Sequence, residues 1–372
     1  MSIKSRILAV LGMFSLLTAG CTHTLPPHQE VNQALQKTLN SSGYNYTSKS
    51  RLTNLAVPVK DLKTTASKQQ YLEKNLDMAR GLSIIADGAI DMKNKKSEVL
   101  YNLHYDQDNV EVSIKVPLLF DYTTQTLYVG TTLFNTIFPM APGNQGKLIR
   151  IDLNDLLKLA GEKSDKLKNL LGKKYFDSVN EGLKQGVLKG FADLKDERFS
   201  DQPLTGDDAA AGLVRHITVR LDHEESVALL LTIADTLVQR LYQDGVLGKE
   251  EYGTLMILTD KQKIDSYLAA FRMAATLDIG LGSTGQISRI ESRFTVVGKD
   301  NRYQVGVENI SRFSRYNDPL FTIRPELTGA VDHKEILDSI LAARAAQKAE
   351  AEANKAKEAE PEAAKEEKKI GE

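Results

Sequence analysis

Tryptophan is absent from this 372-residue chain, and cysteine occurs once, at position 21. A single thiol excludes an internal disulfide and a thiolate metal cluster, and the residues call for no cofactor. Neither sign of charge prevails: 48 Lys and Arg stand against 49 Asp and Glu, a formal net charge of −1. That balance offers no global basic excess, so no nucleic-acid partner is expected. Long hydrophobic runs are missing as well. The apolar stretch Ile7 to Leu17 is shorter than the roughly 20 residues of a spanning helix. Apolar residues still make up 41% of the chain, enough to build a core.

The first residues decide the most. Lys4 and Arg6 precede the short apolar run, and the small residues Ala19 and Gly20 precede Cys21. That is the layout of an export signal over residues 1–20. Leu17-Thr18-Ala19-Gly20-Cys21 resembles a bacterial lipobox, with Thr18 where Leu is usual. The resemblance implies that Cys21 begins the mature chain and carries a diacylglycerol thioether and an amide-linked acyl chain. Several chains make a strong anchor where one binds only marginally. A lipidated thiol also removes the liability of a free one in an oxidising compartment. Thr22 follows rather than Asp, which in the same resemblance implies sorting to the outer membrane, facing the periplasm.

Residues 21–66 read as a tether with one short helix, Gln29 to Leu39, stopped by Ser41-Ser42-Gly43. Residues 67–330 read as one sheet-and-helix domain. Ser67 to Arg80 has helical spacing. Ser83 to Met92, Tyr101 to Tyr105 and Val110 to Val116 alternate as strands, the last ended by Pro117. Thr126 to Val129 and Leu148 to Leu153 add two more. Leucines at intervals of three and four predict helices over 154–200. Leu213 to Leu221 is a strand, followed by a long helix from Asp222 or His223 to Tyr242 and another over about 260–271. A second meander covers Thr276 to Leu281, Gln286 to Val297 and Arg302 to Arg315, with Leu320 to Ile323 as a last extended piece. Residues 331–372 read as a helix fraying into an Ala-, Glu- and Lys-rich disordered tail.

Three segments carry a second resemblance: Leu82 to Asp91, Thr284 to Ile290, and Tyr316 to Glu326, the last similar to a closing strand. They resemble the open-barrel lipid carriers, that is, the LolA/LolB lipoprotein carriers and the LppX/LprG lipid-binding group. The resemblance implies an α+β fold: a curved antiparallel sheet, or open barrel, covered by helices around a cavity for acyl chains.

Motifs for chemistry are sparse. Gly280 to Gly285 fits G-x-G-x-x-G, but a strand-like segment follows where a dinucleotide site needs a helix, so it reads as a hairpin turn. Asp106, Asp108, Asn109 and Glu111 lack the Gly and Glu positions of an EF-hand and read as a turn. His223 has no second His at helical spacing, and His104 and His216 fall on polar strand sides. No Gly-x-Ser-x-Gly elbow occurs, and no enzyme activity is expected. Thr131 to Ala141, with Phe134 and Phe138, reads either as a core-packing connection or as a lid over an apolar cavity.

Two functions fit. One is an envelope lipoprotein that binds or transfers a hydrophobic, acyl-chain ligand, its partners being lipids or lipoprotein acyl chains and the membrane. Its ligand-lining candidates are Tyr101, Leu103, Val112, Ile114, Val116, Phe134, Phe138, Ile217 and Val219, on strand faces that share one interior. Leu221, Ile287 and Phe294 join them, with a bulge near Ile287 able to flip the parity. The other is an adaptor with a filled core that holds envelope protein partners.

Overall fold

The computed structural model describes residues 25–336 except 62–63, 108, 132–145, 156–172 and 258, together with Asp338 and Ala342. Cys21, Phe134, Phe138 and nearly all of the acidic and basic tail lie outside the described residues. The fold is α+β. In chain order come α1 (Pro27–Leu39), β1 (Gly43–Ala56), α2 (Ala66–Arg80), β2 (Leu82–Asp91), β3 (Lys96–Gln107), β4 (Val110–Asp121), β5 (Thr126–Gly130) and β6 (Leu148–Asp152). Then follow α3 (Lys173–Ala192), β7 (Phe199–Gln202), α4 (Gly206–Ala210), β8 (Leu213–Leu221), α5 (His223–Gln243), α6 (Lys249–Ile257) and α7 (Lys261–Leu268). Next come β9 (Phe271–Gly282), β10 (Ile287–Gly298), β11 (Gln304–Ser314), α8 (Pro325–Thr328) and β12 (Ala330–Asp332). Among the described residues no helix is long and apolar enough to cross a membrane.

Among the described residues twelve strands form one sheet, not closed, in the order β12-β6-β5-β4-β3-β2-β1-β11-β10-β9-β8-β7. Every pairing is antiparallel except β12 with β6. Two hairpin-connected meanders, β2–β6 and β9–β11, are joined edge to edge by β1. This corrects the reading of residues 21–66 as a tether. Tyr46 pairs with Gly88 of β2 on one side and Phe313 of β11 on the other. The helix before it is part of the core too, with Val31, Ala34 and Leu35 buried. The tail also starts later than expected, because β12 pairs with β6, and Val331 and Ile336 pack on Ile149.

Other differences have local causes. Pro117 does not end β4, which runs on to Asp121. A Cβ at Gly130 would lie 2.5 Å from Pro117 Cγ, so the glycine of β5 leaves room for the ring. The segment Leu320 to Ile323 forms no strand. It crosses the sheet as a strap held by side chains. Asn45 Nδ2 donates to Leu320 O and the Leu320 amide donates to Asn45 Oδ1, both at 2.8 Å. Glu98, only 3% exposed, accepts from the Thr322 and Ile323 amides at 2.7 and 2.8 Å. The buried carboxylate is thus fully engaged, the condition under which burying it is tolerable. Helix α6 and strand β7 fall where no separate element is legible in the sequence.

Helix α5 begins as its sequence predicts. Asp222 caps it, and Glu225 returns the bond to complete a capping box. It packs antiparallel on α3 through three glycines spaced four apart. Gly182, Gly186 and Gly190 face Leu237, Ile233 and Leu229. A Cβ at Gly186 would stand 2.9 Å from Ile233 Cα, which is backbone and cannot swing aside. Gly186→Ala should therefore lower stability by about 1–3 kcal/mol in urea denaturation. Gly253→Ala, in α6 with open space around it, should be neutral or raise stability by roughly 0.5–1 kcal/mol. Equal urea midpoints for the two variants would mean that α3 and α5 are not in backbone contact.

Candidate functional site

Paired residues of neighbouring strands point to the same side of a sheet, so the registers sort every strand into two faces. One row runs Val219–Leu277–Ser292–Asn309–Ser50–Ile84–Leu103–Ile114. The next runs Ile217–Ile279–Ile290–Ser311–Ser48–Ala86–Tyr101–Val116. Val112 pairs with Tyr105 on the same side, and Leu221 and Phe294 both pair with Ala275. Tyr101, Leu103, Val112, Ile114, Val116, Ile217 and Val219 thus share one face of one sheet, as their alternation predicts. A bulge between Ile287 and Arg289 shifts the register of β10, and this is what lets Ile287 and Ile290 both reach that side. From β6 to β9 no residue on this face carries a charge.

Cover over the face is uneven. At the β7–β10 end, α1, α3 and α5 pack directly on it, and Ile217 and Val219 are 0% exposed. These two are solid core and leave no room for a ligand, which corrects their place among ligand-lining candidates. At the β6 end Ile149 is buried beneath Ile336. Between these ends the face is only partly covered, although Val116 within it is buried at 7% exposure. Ile84, Leu103 and Ile114 are half-buried, while Tyr101 is 37% and Val112 43% exposed. A cleft of about 740 Å³ opens where Tyr44, on the same face, meets Leu39, Phe176 and Leu183, and Lys95, Asp177, Lys184 and Arg240 make its rim charged.

The middle of the face holds a polar cluster. Asn309 Nδ2 donates to Ser48 Oγ at 2.6 Å and to Ser50 Oγ at 2.8 Å. Ser311 Oγ lies 2.8 Å from Asn309 Oδ1 and 3.0 Å from Ser48 Oγ. Next to it the Tyr46 ring lies against Gly88, where a Cβ would come within 2.6 Å. Burial, reinforced by Tyr101, Tyr44, Glu98 and Asp87, pushes the Tyr46 phenol up to about 12.

The opposite face is charged. Arg293 lies 3.1 Å from Glu308 and 3.4 Å from Asp278, and Arg51 lies 2.6 Å from Glu308. The Arg51 bond is the first cause that holds the Glu308 carboxyl below its usual range. Its contribution is therefore present above that range and lost as pH falls through it. His216 stands between Asp208 and Asp278 on this face, at 3.4 and 3.7 Å. Among the described residues no group of three His, Asp or Glu side chains converges to hold a metal. Gly280 to Gly285 is the β9–β10 hairpin, with Gly285 at φ +72° and the Gly282 amide bonded to Gln286 O.

No protein-family model matches the chain, and no curated protein matches it. Ser48, Ser50, Asn309 and Ser311 are the residues that sequence reasoning missed. Their signal is weak but present: from Tyr44 to Leu52, charged residues fall only at odd positions.

Tyr46 gives a pH signature. Above the ordinary phenol value of 10.0 the unfolded chain loses this proton, while the folded chain keeps it to about 12. Stability should therefore fall with rising pH across that window, and Tyr46→Phe should make the fall shallower in thermal melts. An identical slope in the variant would show that the phenol titrates normally.

Proposed function

We propose that this protein is a cell-envelope lipoprotein that binds or hands over a hydrophobic acyl-chain ligand on the helix-bearing face of its sheet. On this reading the sheet curls into an open barrel similar to those of the LolA/LolB and LppX/LprG carriers. Curling is one way a twisted open sheet of more than about ten strands is accommodated. The observation that carries the reading is the half-exposed, charge-free stretch between two covered ends. Each large apolar side chain left half-exposed forgoes roughly 1 kcal/mol of burial, and contiguous apolar surface of this kind marks a binding site. Acyl chains supply the missing cover without requiring a charged partner.

The anchor is Cys21, with the export signal before it. Arg215 Nη1 donates to Leu25 O at 3.0 Å, so a contact with β8 is fixed four residues after Cys21. Four residues span at most about 14 Å, which holds the β7–β8 end close to the membrane. Cys21→Ser should release the protein from the membrane fraction or leave it as an unprocessed precursor. A cleaved Cys21→Ser protein that stays membrane-bound would sink the lipid-anchor reading.

Native mass spectrometry of protein purified from membranes, with lipid extraction, should find co-purified acyl lipid. Ile114→Trp should cut uptake of a fluorescent fatty acid several-fold while the protein stays folded, because the side chain fills the open part of the face. No bound lipid, no dye binding by the wild type and an unfolded Ile114→Trp would instead indicate a filled core. The adaptor function, holding envelope protein partners, would then take precedence.

A further inference from the structure

We infer that Ser48, Ser50, Asn309 and Ser311 form a polar subsite that accepts the carbonyl oxygen of an acyl ester or amide. The inference rests on the acyl-ligand reading above and narrows it to ligands with a neutral acceptor partway along their length. The four side chains come from adjacent strands, β1 and β11, and pair directly: Ser48 with Ser311, Ser50 with Asn309. They lie on the charge-free face where the packed core under α1, α3 and α5 gives way to the open stretch. In register, Ile290 and Ala86 flank Ser311 and Ser48, while Ser292 and Ile84 flank Asn309 and Ser50, so the apolar stretch begins at Ala86 and Ile84.

Hydrogen accounting shows what the cluster needs. The Asn309 amide carries two hydrogens and the three hydroxyls one each. Those five serve four contacts within the cluster. At least one hydrogen is left over. Among the described residues Ser50 Oγ has one hydrogen-bond partner, Asn309 Nδ2, from which it accepts, so its own hydrogen remains to be donated. Ser50 is half-buried at the start of the open stretch, so this hydrogen goes to water when the face is empty and to an acceptor on any ligand that displaces that water. An ammonium group, which brings only donors, does not fit. Nor is the site suited to a phosphate or carboxylate. The arginines and lysines of β1 and β10 fall on the opposite face, and burying an anion without a cation is expensive. A neutral carbonyl needs no countercharge, and an acyl chain attached to it continues onto Ile84, Leu103 and Ile114.

The test is displacement of N-phenyl-1-naphthylamine from the full-length protein by hexadecane and by methyl palmitate, molecules of similar length with and without a carbonyl. The variant Ser48→Ala/Ser50→Ala/Asn309→Leu/Ser311→Ala removes donors and acceptors together, which avoids stranding any of them. The affinity ratio of ester to alkane should fall about tenfold from wild type to variant, with hexadecane binding retained. A second measurement needs only the wild type. The carbonyl stretch of bound methyl palmitate should lie at lower frequency than in hexadecane solution, as hydrogen-bonded carbonyls do. An unshifted stretch, or an unchanged ratio with hexadecane still bound, would overturn the subsite, and the cluster would then be a structural or water-binding one. If neither hexadecane nor methyl palmitate displaces the dye, it is the acyl-ligand reading that fails.

Discussion

The fold depends on β1 having two neighbours. Its 14 residues hydrogen-bond to β2 on one side and to β11 on the other. Remove it, and the sheet divides into two meanders, each with a long unpaired edge. With it, the longest strand is central and the two edges are short, four residues in β7 and three in β12. Short edges offer little template for pairing with another chain. The capped helix α5, the glycine contact with α3 and the packing of α1 all act on a sheet that β1 has already made continuous.

Segregation of the faces follows from that continuity. Because the pairings run through β1, the parity set in one meander is carried into the other, and the apolar side chains of both reach the same side. Apart from Arg215 and Asp201 at the β7–β8 end, the arginines and carboxylates of the sheet gather on the other, where they neutralise one another and where Glu98 fastens the strap after β11. Surface ion pairs of this kind contribute little each. Their larger effect is on register: a one-residue slip in β1 would bring Lys49 and Arg51 to the apolar side.

Much of this was legible in the sequence. Val110 to Val116 and Leu213 to Leu221 alternate cleanly, a helix starts at Asp222 or His223 as expected, and Gly280 to Gly285 closes a hairpin. What failed to show is instructive. In β1 the apolar-side positions hold Ser48 and Ser50 between Tyr46 and Leu52, so the period-two pattern breaks mid-strand and the segment reads as linker. The residues that disguise the strand are those of the polar cluster. Sequence rules tend to fail where a position serves something other than folding. The glycines of α3 are uninformative in the sequence for a different reason. Glycine in a helix reads as punctuation until the facing helix shows that close approach is its use. Ile217 and Val219 have the same alternation as Leu103 and Ile114, and only the helices lying on them distinguish core from open face.

The pairing of β1 with β11 also sets a timetable. Ser48 meets Asn309 across 261 positions of chain, among the most non-local contacts a domain of this size can make. Closing such a loop costs entropy before any contact returns it, and chains dominated by such pairings fold slowly. The hairpins β2–β3, β3–β4, β9–β10 and β10–β11 can each form locally, but the β1–β11 seam waits for almost the whole chain. Until it closes, β1 and β11 each present a free edge, and an intermediate with β1 undocked is the species most exposed to aggregation.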